Sequence, residues 1–286
     1  MSIQDDSPYH YVPSRAAGII FVVLFCFSTL LHSAQAAFKK TWWLFPTIVF
    51  SGLVEILGWS ARLWSSYSPL LLPPFQIEIT GTIVGPTPLL AASFVAFGKI
   101  IDRLGPQYSR LRPKWYTIVF CSCDVVSLVV QGAGGGIAAT ADTRKLTKIG
   151  SNIVLAGIGF QLAVIVVFSL CMIEFFIRYH RRAPIRKEDL GASAQHAGVF
   201  TQRLKILMYA TSFTTLVLFI RAVYRTIELT DGWNGRIIST QVYFNVLDGA
   251  MVVLAFYAYN IAHPGLLLET PPSQAIYEKP ETVTRA

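Results

Sequence analysis

The chain has 286 residues, of which 53% are hydrophobic and 14% charged, with mean hydropathy +0.51. That is too apolar for a soluble domain of ordinary composition. A net charge of +8 would suit nucleic acid if the basic residues shared a face, but they are divided among short loops between apolar runs, which argues against that partner.

Taken in chain order, apolar runs long enough to cross a bilayer fall at about 16–38, 43–66, 77–101, 115–138, 149–177, 205–229 and 238–262, each near the ~20 residues a span requires. The fold class expected is therefore all-α, a polytopic seven-transmembrane-helix bundle. Residues 1–15 carry Asp5 and Asp6 ahead of Arg15 and lack the basic start of a signal peptide, so the first run is expected to stay as a helix. Between the second and third runs, SYSPLLLPPF has three prolines and no charge, which predicts a loop folded against the membrane interface. Pro86 and Pro88 then fall inside the third run and predict a kink there. In the third and fourth runs Gly81 with Gly85, and Gly132 with Gly136, have the spacing that usually marks close helix packing. The tryptophans, Trp59 among them, fall mostly near run ends and read as interfacial anchors. Pro264 predicts that the last helix stops at His263. His32 reads as a packing residue, and the four cysteines, all inside apolar runs, read as small hydrophobes rather than disulfides.

Of the 24 lysines and arginines, fifteen lie in the loops near 39–42, 102–114 and 178–205 and in the tail, and five on the opposite side. The positive-inside rule then places the N-terminus outside and the C-terminus in the cytosol. The organisation expected is an external segment 1–15, a transmembrane domain 16–265 and a cytosolic tail 266–286.

The remaining four basic residues are Arg62, Lys99, Arg221 and Arg225, all within spans. Arg221, Arg225 and Glu228 share one stripe of the sixth helix at ~100° per residue. Glu55 and Arg62 share a face of the second, and Asp124 and Gln131 a face of the fourth. Asp248 lies near the middle of the seventh, and Glu78 opens the third. Ionisable groups cost at least ~2.5 kcal/mol each in hydrocarbon, so they should converge inside the bundle, with Asp248 the main partner of the arginines. The cluster is either an ion network that fixes helix packing or the lining of a site.

Several chemistries are set aside. The seventh run has no lysine for a retinal Schiff base, histidines do not cluster as intramembrane zinc ligands, and no GxxxxGK[ST] loop is present. No cofactor, metal or catalytic residue is expected, and no enzyme.

YVPS at 11–14, EILGWSAR from Glu55, PLLAASFVAFGKIID from Pro88, the D-x-x-S-L-x-x-Q-x-x-GGG pattern from Asp124, IRAVYRTIEL from Ile220 and the terminal HPG together resemble the fungal RTA-like, or lipid-translocating exporter, family. Gln241 stands where that family's pattern has an acidic residue. The resemblance implies a seven-helix protein, usually of the plasma membrane, tied to stress response and resistance to membrane-active compounds. It further implies a membrane lipid or amphiphile as partner: a sphingoid long-chain base, a phospholipid or a sterol-like molecule. On that reading Glu55, Asp124 and Asp248 would hold an ammonium, and Arg62, Arg221 and Arg225 would hold a phosphate or neutralise the acids. The tail would stay in the lipid bilayer. The alternative is a receptor or stress sensor whose basic loops recruit a cytosolic protein partner. The charge bias makes a first prediction: single cysteines placed in 139–148 react with an impermeant reagent from outside, those in 183–200 do not, and reversed labelling would invert the topology.

Overall fold

The computed structural model describes residues 7–141, 143–185, 200–232 and 235–268. The start of the N-terminal segment, Trp233, most of the long basic loop (186–199) and nearly all of the expected tail lie outside them. Seven helices among the described residues are long and apolar enough to cross a membrane, and no strand occurs. They are α1 (Arg15–Phe38), α2 (Trp42–Tyr67), α3 (Leu72–Leu104), α4 (Pro113–Ala138), α5 (Arg144–Arg181), α6 (Gln202–Asp231) and α7 (Gln241–Leu267). The protein is thus a multi-pass membrane bundle. The end that carries residues 7–14 is called the N-terminal face below.

Local sequence sets the helix ends. Ser14, Thr143 and Thr201 cap α1, α5 and α6 by accepting from the backbone N–H three residues on, which satisfies one of the donors every helix start leaves open. The apolar positions of α1 show how the bundle is turned: Ile19, Ile20, Val23, Phe27 and Leu30 are exposed, while Ser28, Thr29 and His32 are buried. A polar stripe facing inward and an apolar one facing outward is the arrangement hydrocarbon requires. His32 does act as a packing residue, its Nε2 lying 3.1 Å from the Phe256 carbonyl. All four cysteines are free and partly buried.

Toward the opposite face the interior is aromatic. Phe94, Phe97, Tyr116, Phe120, Phe168 and Phe175 from α3, α4 and α5 meet largely edge to face, with centroids 4.7 to 5.8 Å apart. A second aromatic group joins α1, α2 and α7, where Trp59 stacks on Phe21 at 3.9 Å. Trp59 is fully buried, so the interfacial reading fails for this one, while Trp42, Trp64 and Trp115 are exposed. A ring one turn from Glu55 and Arg62 belongs to the polar interior they share.

Two expectations about α3 meet different outcomes. The loop of prolines is shorter than expected, because Pro73 and Pro74 occupy the first turn of a helix that begins at Leu72, where a missing N–H costs nothing. The expected kink site is marked by a single-residue interruption: α3 consists of Leu72–Val84 and Pro86–Leu104, joined at Gly85, whose backbone stays in the helical region. The first segment packs chiefly against α2, the second against α4 and α6. The α7 helix is irregular as well, with a π turn over Asn245–Ala250, and its regular part stops at Ile261, ahead of a last turn over Pro264–Leu267.

The glycines of α4 correct the spacing argument. A Cβ on Gly134 would lie 2.7 Å from the Gly150 carbonyl oxygen, and one on Gly150 2.6 Å from the Ala138 nitrogen, so these two carry the close contact of α4 with α5. Gly132, Gly135 and Gly136 would meet nothing within 4 Å. Close packing therefore does not account for them, although each glycine in a helix costs about 1 kcal/mol relative to alanine. Gly134→Val or Gly150→Val should lower the stability of the purified protein by roughly 1–3 kcal/mol, as overpacking does, seen as a fall in the thermal unfolding midpoint. An unchanged midpoint would refute the assigned contact.

Candidate functional site

Pro86 has no N–H, so the Thr82 carbonyl one turn earlier loses its helical donor. Arg221 Nη2 of α6 donates to that carbonyl, and Arg225 Nη2 donates to the Thr82 hydroxyl at 2.8 Å. Both arginines also turn to Asp248 in the π turn of α7. Arg225 forms a two-point contact, Nε to Oδ1 at 2.9 Å and Nη2 to Oδ2 at 3.1 Å. Arg221 Nε lies 2.7 Å from Oδ1 without the alignment of a hydrogen bond. One turn on, Arg225 Nη1 donates to Glu228 at 2.9 Å, and the other oxygen of Glu228 accepts from Tyr224 at 2.7 Å.

A second charged pair stands nearer the N-terminal face. Arg62 of α2 donates to Glu78 of α3 at 2.6 Å and to the Tyr11 hydroxyl at 2.7 Å. Tyr9 donates to Ser65 at 2.9 Å. Burial pushes the Tyr9 and Tyr11 phenols above their ordinary values, so both remain neutral. The two charged groups are joined by Phe244 of α7, whose ring centroid is 4.4 Å from the Arg62 guanidinium and 4.9 Å from that of Arg225, near enough for cation–π attraction to both.

These pairs line one end of a cavity of about 540 Å³ on the N-terminal half of the bundle, within the range of small-molecule sites. Its polar lining includes Arg62, Glu78, Arg225, Glu228, Gln131 and Tyr11, with Tyr9, Gln76, Thr80 and Thr147 beside them. Ile79, Ile83, Leu128, Val154, Leu229 and the glycines 132, 135 and 136 supply apolar wall. The first segment of α3, which packs chiefly on α2, and α4 both contribute to its lining. Inside it, Glu78 Oε2 and Gln131 Oε1 are buried acceptors without a hydrogen-bond partner. A gap of about 20 Å³ against Arg221, Gln161 and Leu218 shares Ile83, Gln131 and Arg225 with this cavity and lies on its deep side.

Of the eight site residues expected, Arg221, Arg225, Glu228 and Asp248 are in direct contact, and Arg62 reaches them through Phe244. Gln131 stands on the cavity wall, donating to Ser127 at 2.7 Å. Two are corrected. Asp124 is buried and neither carboxyl oxygen has a partner among the described residues; no charged pair reaches it, because the α4 face that bears it meets α5 through Ser127 and Gly157. Glu55 lies in the electrostatic neighbourhood of Asp248, Arg221 and Arg225, yet its Oε1 is unpaired and it does not line the cavity. A Cβ on Gly85 would lie 2.5 Å from that oxygen, so Glu55 is turned to the α3 break. Asp248 is engaged by both arginines. Glu78, noted in the sequence only as opening the third helix, joins the charged lining of the cavity. Its pairing with Arg62 spans two helices and could not be read from spacing within either. Tyr9 and Tyr11 gave no sequence signal beyond YVPS.

If Arg221 is removed alone, the Thr82 carbonyl is orphaned; if Asp248 alone, two arginines lose their common partner. Removing both leaves Arg62 with Glu78 and Arg225 with Glu228. Arg221→Ala and Asp248→Asn should each cost about 3–5 kcal/mol and the double variant distinctly less than their sum, with Asp124→Asn within roughly 1 kcal/mol of wild type. Thermal unfolding of the purified proteins measures all four, and additive defects would exclude the shared pair.

The family described as RTA1 like protein matches residues 48–271. The sphingoid long-chain base transporter RSB1 of Saccharomyces cerevisiae is 26% identical over 277 residues, covering 89% of this chain and 72% of the relative. Protoporphyrin uptake protein 1 of the same yeast is also 26% identical, covering 88% of this chain and 90% of its own. Protein RTM1 is 23% identical with the same coverage. No solved structure matches with significance.

Proposed function

Since the chain belongs to the RTA1-like family, we propose that it moves a single-chain amphiphile with a cationic, hydroxyl-bearing head between the leaflets of a membrane, taking the head at Glu78, Glu228 and Gln131. The observation that carries this reading is the cavity itself: apolar wall beside charged pairs, with a buried acceptor left without a hydrogen-bond partner on each of Glu78 and Gln131. Arg62, Arg221 and Arg225 are matched one for one by Glu78, Asp248 and Glu228, so the head is drawn by open acceptor capacity rather than by an excess of charge. Buried acceptors left open are costly unless a donor completes them. An ammonium and a hydroxyl are such donors.

The relatives' names weigh on the same side. A sphingoid long-chain base is a single-chain amino alcohol and matches this donor requirement, whereas the carboxylates of a protoporphyrin would add acceptors to a site already rich in them. A phosphate head is disfavoured because every arginine already has a carboxylate. On this reading the N-terminal face is the outer one, the membrane is the plasma membrane, and clearing the amphiphile gives resistance to it.

Vesicles holding only the purified protein test the reading with hexadecylamine, the corresponding long-chain amino-diol and hexadecyl phosphate. The two amines should cross, and the phosphate at least ~10-fold more slowly, since a like charge at a buried site costs more than 1.4 kcal/mol. Gln131→Leu should weaken the amino-diol about fivefold, roughly one hydrogen bond, and leave the plain amine unchanged. Preference for the phosphate would refute the head assignment. Binding without movement would favour a receptor.

A further inference from the structure

We infer that the glycine face of α4 seats the ligand's hydrocarbon chain, so that the tail of the amphiphile lies inside the protein rather than in the bilayer, and the face sets the longest chain accepted. This deepens the proposed function and rests on it. Leu128, Gln131, Gly132, Gly135 and Gly136 all line the cavity, and their spacing of three, four, seven and eight places them on one side of α4. Three successive positions of that side carry no side chain. The neighbouring face, through Gly134, makes the close approach to α5, which brings Val154 and Thr147 to the cavity's rim. Close approach thus explains Gly134 and leaves the other three free of any packing role.

The second observation comes from the polar end. Gln131 directly precedes the glycines and its unpaired Oε1 is buried, and the buried Glu78 across the cavity has its Oε2 unpaired. Two lining residues with a buried, unpartnered acceptor each, beside a wall of bare backbone, describe a ligand with donors at one end and a slender apolar body beyond them. Glycine suits the second part, because a chain can lie against the helix backbone itself, shielded by Ile79, Ile83 and Val154. A two-chained lipid would have to leave one chain outside. The slot therefore selects single-chain molecules and measures their length.

The test uses the full chain in lipid nanodiscs, with the alkylamine series from octylamine to octadecylamine as probes and affinity as the readout. Wild type should bind longer amines more tightly along the series. In Gly135→Leu the added side chain occupies the slot, so octadecylamine should lose about tenfold or more, as the loss of roughly two buried methylenes implies, while octylamine stays close to wild type. Gly136→Leu gives the same readout if the first variant folds poorly, and Gly135→Ala, which adds one carbon into open space, should be as heat-stable as wild type or more so. Equal weakening at every length, or no change at any length, would overturn the slot with the function reading intact. A wild-type protein that binds none of the amines would overturn the function reading, and the slot's ligand with it.

Discussion

One missing hydrogen organises the N-terminal half of this bundle. Pro86 cannot donate to Thr82, and a carbonyl orphaned in a membrane interior has no water to turn to. Arg221 satisfies it and Arg225 takes the adjacent hydroxyl, so the break in α3 is held by α6. The arginines are in turn held by Asp248 of α7. Three helices meet through one carboxylate and one threonine, and the first part of α3 packs on α2 while the second packs on α4 and α6. The cavity lies between that first part and α4.

Buried charges are poor evidence of stability, because desolvation can exceed the attraction they regain. Their distribution says more. Each arginine in the cluster is spent on a carboxylate within 2.9 Å, and Phe244 offers its ring faces to two of them. Asp248 is engaged by two arginines and Glu228 by Arg225 and Tyr224, while buried acceptors without a hydrogen-bond partner remain at Glu55, Glu78 and Gln131.

Much of this was legible in the sequence, and the boundary of legibility is physical. Span positions follow from the length of apolar runs, and the stripe of Arg221, Arg225 and Glu228 from the helical repeat. Asp248 follows from its depth in the next helix. The proline break followed from chemistry local to α3. What could not be read were the partners chosen by that break: Glu78 for Arg62, the isolation of Asp124 on a face turned to α5, and the turn of Glu55 away from the cavity. The α4 glycines were misassigned because small-residue spacing cannot distinguish a helix that meets a neighbour from one that faces empty space. The burial of Trp59 was missed for a related reason, since proximity to a run's end says nothing of which side a residue faces.

The two halves of the molecule differ in a way that limits where a ligand can sit. Beyond Leu90, Ile165 and Leu218, the deep walls of the small gap, the interior is taken up by the edge-to-face cluster around Phe94, Phe97 and Phe168, all fully buried. Such packing leaves no room for a head or a chain. The cavity is consequently one-sided in this conformation, placed on the N-terminal half with its charged end toward the α3 break. Any rearrangement that carried a head further would have to part the aromatic cluster or release Thr82 from the arginines. The second is held by Arg221 and Arg225 on Thr82 and by Ser51 donating to the Gly85 carbonyl, and the first by interlocked rings from three helices.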